Sequence, residues 1–214
     1  MTLTADLRVF ELLASRLCHD VVGPIGAVNN GMELLEEDDS EMAGDAIELA
    51  AASARQAADA LQFYRLAYGM AGTQVDANGP ELARVANAFL SKHKARLLWP
   101  DGSLPDPAPE GLAKLLLNLA ALASESLPRG GEISLSFAPT AGELTVTAAA
   151  RGESSALRPE VAAALLPDCP IADLTPRSIQ GYFTGLLARR AGGTLSVTPN
   201  GEAGIDFMLV LPTG

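Results

Sequence analysis

Between Leu3 and Leu35 the positions 3, 7, 10, 14, 17, 21, 24, 28, 31 and 35 carry Leu, Leu, Phe, Ala, Leu, Val, Pro, Val, Gly and Leu. Steps of four and three residues with no charged member make the seam of a helical bundle, so this stretch reads as one long helix. The acidic run Glu36 to Asp39 ends the pattern, and Ser40 followed by Glu41 reads as the N-cap of a second helix. Its stripe at positions 43, 47, 50, 54, 57, 61, 64 and 68 is Ala, Ile, Ala, Ala, Ala, Leu, Tyr and Tyr. Two helices cannot bury such stripes on both flanks by themselves, so pairing of two copies into a four-helix bundle is expected, and with it a homodimer.

Beyond Gly69 to Pro80, a Gly-, Asn- and Asp-rich linker, the pattern turns to mixed helix and strand. Helices are expected over about 80–91, 109–127, 159–166 and 176–190. Strands are expected over 96–99, 132–137, 143–148, 194–197 and 205–211, with a turn at Thr140 to Gly142. The fold class is therefore α+β, a helical hairpin followed by a sheet with helices on one face.

A formal charge of −11 disfavours nucleic acid, which demands clustered Lys and Arg. No apolar run reaches the roughly 20 residues that span a bilayer. Cys18 and Cys169 have no metal-ligand spacing, and no signal peptide opens the chain, so a cytoplasmic, thiol-reduced protein without a membrane role is expected. Cys18 reads as a small packing residue and His93, between Lys92 and Lys94, as a solvated surface residue.

The chemistry concentrates around His19. It lies two residues from both Leu17 and Val21, about 200° from either, and so faces away from the seam. Its same-face neighbours Ser15, Gly23 and Gly26 are small, which lets a partner approach the ring. Two helical glycines cost roughly 1 kcal/mol each relative to alanine, so helix stability did not select them. A neutral imidazole is nucleophilic near pH 7 and suits phosphoryl transfer, and Asp20 beside it is placed to fix its tautomer. From position alone an ordinary surface histidine is the competing reading.

The stretch His19-Asp20-Val21-Val22-Gly23-Pro24 resembles the histidine box of sensor kinases, in which an acid follows the His and a Pro comes five residues on. Leu116 to Ile133 resembles the kinase N-box helix and the strand after it, and Gly192 to Val197 with Ile205 to Pro212 resembles the last hairpin of the kinase catalytic domain. Three ATP contacts are missing. The Mg²⁺-ligating asparagine falls at Leu122, the Asp-x-Gly motif reads Ala150-Arg151-Gly152, and the Gly-x-Gly phosphate loop falls near Ser178-Ile179-Gln180.

With the segment Ile179 to Arg189, this combination resembles the ChpT-type histidine phosphotransferases. That resemblance implies a dimerisation and phosphotransfer hairpin over residues 1–72 and a degenerate, GHKL-like kinase catalytic domain over 73–214. It implies a phosphotransferase that passes phosphoryl groups between receiver aspartates through His19 without ATP. The partners implied are response-regulator receivers and the receiver of a hybrid histidine kinase, in cell-cycle signalling. No cofactor is expected on this chain, the receiver bringing its own Mg²⁺. Asp20 is expected to steady the ring, and Arg16, Val22, Gly23, Ile25, Gly26 and Asn29 to meet the partner. The readings set against this one are a divergent ATP-dependent kinase core, a non-catalytic dimeric receiver adaptor, and a phosphatase. Gly23 stands where phosphatase-active kinases carry Thr or Asn, which disfavours the last.

Overall fold

Helix α1, Leu7–Glu36, carries the seam and continues through Pro24, whose missing N–H leaves the carbonyl of Asp20 without its helical donor. The computed structural model describes residues 6–36, 42–70, 79–100, 104–106, 108–201 and 204–213; Leu3, Ser40 and most of the expected linker lie outside these. Along α1 the seam positions from Ala14 to Leu35 are buried or half-buried, while Leu7 and Phe10 are exposed. Helix α2, Ala43–Ala67, packs against it antiparallel to the chain's outward run. A Cβ on Gly31 would stand 2.9 Å from the Ala46 carbonyl oxygen and 3.0 Å from the Ala50 Cβ, so the absence of a side chain is what lets the helices close.

The expected α2 stripe is buried only in part on the single chain, at Ala57 and Tyr64. Ile47, Ala54 and Leu61 are exposed, and the buried positions are Ala46, Ser53, Ala57, Ala60, Phe63, Tyr64, Leu66 and Ala67. A straight helix drifts from a seven-residue repeat, and the second half of α2 turns towards the following layer, where Phe63 stacks on Phe89 at 3.8 Å between ring centroids.

The remaining elements are α3 (Gly79–Leu90), a 3₁₀ turn (Ser91–His93), β1 (Ala95–Leu98), α4 (Leu112–Ser124), β2 (Gly131–Thr140), β3 (Glu143–Arg151), α5 (Pro159–Ala164), a second 3₁₀ turn (Ile171–Asp173), α6 (Ile179–Arg190), β4 (Thr194–Pro199) and β5 (Gly204–Pro212). The sheet runs β1-β2-β3-β5-β4, with β1 parallel to β2 and the other pairs antiparallel. Alternation sends Ile133, Leu135, Leu144, Val146, Ala148, Phe207, Leu209 and Leu211 to one buried face. Helix α4 is buried from Leu115 to Ser124, because it lies between that face and the layer of α2 and α3. One apolar core thus runs without a break from Ala60 on α2 to the sheet.

The start of α1 is held elsewhere. Val9, Leu12 and Leu13 pack on Ala164, Leu174 and Ile179, and the Arg8 guanidinium donates to the carbonyls of Ile171 and Leu174 at 3.1 and 2.9 Å. Among the described residues no helix is long and apolar enough to cross a membrane.

The helical glycines separate into two kinds. Gly31→Leu is expected to destabilise the chain by about 1–3 kcal/mol through overpacking against Ala46 and Ala50. At Gly23 and Gly26 a Cβ meets nothing within 4 Å, so alanine at either is expected to stabilise by up to about 1 kcal/mol. Urea denaturation of the three variants measures both signs.

Candidate functional site

His19 stands on α1 with its side chain 89% exposed. Its Nδ1 lies 3.4 Å from Asp20 Oδ1. The other oxygen of that carboxylate is already engaged: Tyr64 Oη and Lys92 Nζ each donate to Oδ2 at 2.5 Å. The division leaves Oδ1 for the imidazole and roots Asp20 in α2 and in the 3₁₀ turn after α3. Burial alone would raise the Asp20 pKa, but the hydrogen bonds from Lys92 and Tyr64 outweigh it and hold the carboxyl below the usual range. Burial lowers the Lys92 pKa, against the pull of Asp20, and raises that of Tyr64 well above the usual phenol value, so Tyr64 stays a donor.

The expected docking residues fall on two flanks. Val22, Gly23, Ile25 and Asn29 are exposed and Gly26 is half-buried, so this strip borders His19 on the open side. Arg16 goes the other way. Three residues before His19, it turns inward and pairs with Glu125 at the end of α4, 2.6 Å apart, both side chains largely buried. Its expected place among partner-facing residues is thereby corrected, since the guanidinium is committed inside the chain. Burial works against that charge, but Glu125 together with Tyr68, Tyr64 and Asp20 outweighs it and raises the Arg16 pKa; burial raises that of Glu125 despite Arg16. Cys18 is also corrected: it is exposed, on the flank shared with Val22, and packs no core.

Beyond His19, Arg16 and Asp20 the chain forms a cleft of about 930 Å³ whose far wall carries Lys92, His93, Lys94, Arg129, Arg158 and Arg177. His93 was expected to be solvated. It is exposed at the surface, yet its ring lies edge-on to Phe89 at 6.0 Å between centroids, and lost solvation, then the Lys92 charge, push its pKa down to about 4. Carbon-detected or proton NMR of the imidazoles is expected to find a midpoint near that value. Because the folded pKa lies below the unfolded value of about 6.5, stability from this group is present above pH 6.5 and is lost as the pH falls towards 4. Lys94 holds φ 54°, a left-handed conformation that costs a residue with a Cβ about 1–2 kcal/mol.

The positions that the sequence resemblance assigns to ATP contacts are filled by buried side chains. Leu122 and Ala150 are 0% exposed, sealed in the core between α4 and the sheet. Ser178, Ile179 and Gln180 are buried as well. Gln180 Nε2 donates to Asn118 Oδ1 at 3.0 Å, its Oε1 accepts from Tyr68 Oη at 2.7 Å, and Asn118 Nδ2 donates to the Ala67 carbonyl at 2.7 Å. A phosphate loop needs open backbone amides, and here side chains fasten that segment to the end of α2.

Tyr64, Lys92 and Glu125 escape sequence reading because each meets α1 from a distant segment, and Arg129, Arg158 and Arg177 because only the fold brings them to the same cleft. The one local signal is Lys92-His93-Lys94, a basic run in an acidic chain.

The exposed histidine and its anchored acid stand on a helical hairpin joined to an α/β layer, an architecture shared with a histidine phosphotransferase class of protein. Residues 79–203 match the family model described as the histidine phosphotransferase C-terminal domain. The chain is 34% identical over 208 residues to protein phosphotransferase ChpT of Brucella abortus (strain 2308), covering 94% of this chain and 95% of that protein. A solved structure of a bacterial phosphotransferase is 33% identical and aligns with a TM-score of 0.77 over 98% of both chains. The chain belongs to the ChpT-type histidine phosphotransferase family, and its activity is phosphoryl transfer through a phosphohistidine in a two-component phosphorelay.

Proposed function

We propose that His19 is the phosphoryl carrier and that it exchanges the group with aspartates of receiver domains. The observation that carries this reading is the exposed ring of His19 beside a carboxylate that is anchored on its other oxygen. Neutral His19 attacks the phosphorus of the receiver's acyl phosphate through Nε2. The P–N bond forms as the P–O bond to the receiver aspartate breaks, and that carboxylate leaves with the electron pair. The proton stays on Nδ1, where Asp20 Oδ1 offsets the positive charge of the ring. The reverse step returns the group to another receiver. Mg²⁺ comes with the receiver, which surrounds its own aspartate, so this chain contributes position and docking. One donor receiver belongs to a hybrid histidine kinase, and Val22, Gly23, Ile25, Gly26 and Asn29 form the strip on which receivers settle. The test is label transfer from a phosphorylated receiver freed of ATP.

The working unit is a homodimer in which residues 1–72 supply a four-helix bundle and 73–214 the degenerate kinase-like domain. The reading is supported by Ile47, Ala54 and Leu61, which lie seven residues apart and are exposed on the single chain. Buried across a two-fold axis they extend the bundle. Ile47→Glu combined with Leu61→Glu is expected to halve the mass measured by light scattering while leaving the far-UV circular dichroism of the chain in place. An unchanged mass rejects that face.

A further inference from the structure

We propose that the cleft between α1 and the wall formed by the first 3₁₀ turn, the β2 approach, the start of α5 and the α6 approach is a phosphoryl-anion site, which receives the tetrahedral dianion while it sits on His19. The assignment rests on the reading of His19 as the carrier. Its basis is where this chain keeps its cations. Of 15 Lys and Arg residues in a chain with 26 Asp and Glu, six line this one cleft, namely Arg16, Lys92, Lys94, Arg129, Arg158 and Arg177; only Asp20 and Glu125 line it among the acids. An acidic chain with its cations scattered evenly would not leave one concavity positive, and a concave low-dielectric wall concentrates the field on whatever anion enters.

The six divide by their engagements. Arg16 is held by Glu125 and Arg129 by Glu153. None of the ion pairs found among the described residues uses Lys94, Arg158 or Arg177, although each stands within a structured segment. Lys92 is shared, since its ammonium sits on the same carboxylate that faces the His19 ring. A phosphoryl group on Nε2 brings a second anion to this neighbourhood, and an ammonium with three donors can serve Asp20 and a phosphoryl oxygen together. Lys92 is thus a positioning residue for the ring before transfer and a charge partner for the group after it. Lys94 and Arg177 supply charge that the resting protein does not neutralise, and the left-handed backbone at Lys94 marks a position where glycine or asparagine would be less strained.

The chain's composition supplies the probe. It has two histidines, and both line the cleft, so each imidazole Cε1–H signal reports from inside it. Inorganic phosphate is titrated into the full chain at constant pH and ionic strength, with chloride as the balancing anion. Saturable, concerted shifts of both signals are expected, with the affinity weakened at least tenfold in Lys94→Gln/Arg177→Gln. Those two side chains make no ion pair, so the fold survives their replacement. His19→Gln is expected to keep the shift at His93, which separates anion binding from the question of which residue carries the group. Once His19 is phosphorylated from a receiver, free phosphate is expected to be excluded, because the covalent group occupies the site. Shifts that rise without saturating, an affinity unchanged in the double variant, or undiminished uptake of phosphate by the phosphorylated chain would each overturn the proposal. Loss of receiver labelling in the wild type would instead overturn the reading of His19.

Discussion

His19→Gln is expected to reduce acid-labile, base-stable label acquired from a phosphorylated receiver to background, a loss of at least about 10³-fold. Glutamine keeps the polarity and roughly the length of the side chain but has no nucleophilic ring nitrogen. His19 is 89% exposed and belongs to no packed core, so the variant should melt with the wild type, and the loss reads as chemistry. The stability of the label identifies the acceptor. A phosphoryl group on the exposed neighbour Cys18 would survive acid, whereas a phosphohistidine does not. Label that persists in His19→Gln and disappears in His93→Gln would move the assignment to the second imidazole of the cleft.

Arg16→Met is expected to cost about 3 kcal/mol or more at pH 7, since it leaves the Glu125 carboxylate buried without its counter-charge. For a chain of this length that corresponds to a fall in Tm of about 6–12 °C. The pH dependence gives the mechanism away. Burial already raises the Glu125 pKa, and loss of Arg16 removes the main opposing influence, so the folded pKa moves further above the unfolded value of about 4.5. Stability from a raised pKa is fully present below the unfolded value and is lost as the pH rises through the folded one. The deficit of the variant should therefore shrink between pH 7 and pH 5. Arg16→Met combined with Glu125→Leu removes both charges and is expected to recover to within about 1 kcal/mol of the wild type. A deficit equal at pH 5 and pH 7, left unrepaired by the second substitution, would show that lost packing and not an orphaned charge is responsible. Thermal denaturation at the two pH values measures all of this.

The linear chain displays local information well. The α1 stripe, the exposure of His19 two residues from Leu17 and Val21, and the alternation of β2, β3 and β5 all follow from periodicity, because a side chain's direction depends on its position within a few residues. The strand and helix ends move by only a few residues between expectation and structure. Leu122 and Ala150 are legible as apolar positions too, and the structure places both in the core. Periodicity fails where two layers compete for one helix. The α2 stripe catches Ala57 and Tyr64 but passes over Ala46, Ser53, Ala60 and Phe63, because Phe63 answers to α3, which the heptad count does not know. Val9, Leu12 and Leu13 lie off the α1 seam and are half-buried against a segment more than a hundred residues on.

By itself, then, the sequence determined the class of fold and the exposed position of His19 on its helix, each written in residue type and short spacing. The tertiary structure decided how that histidine is equipped. Asp20 meets Lys92 across 72 positions and Arg16 meets Glu125 across more than a hundred, and the cationic cleft draws its wall from four separate segments. Such pairings exist only once the chain has folded, because a charge selects its partner by distance in space, and spacing along the chain carries no record of it.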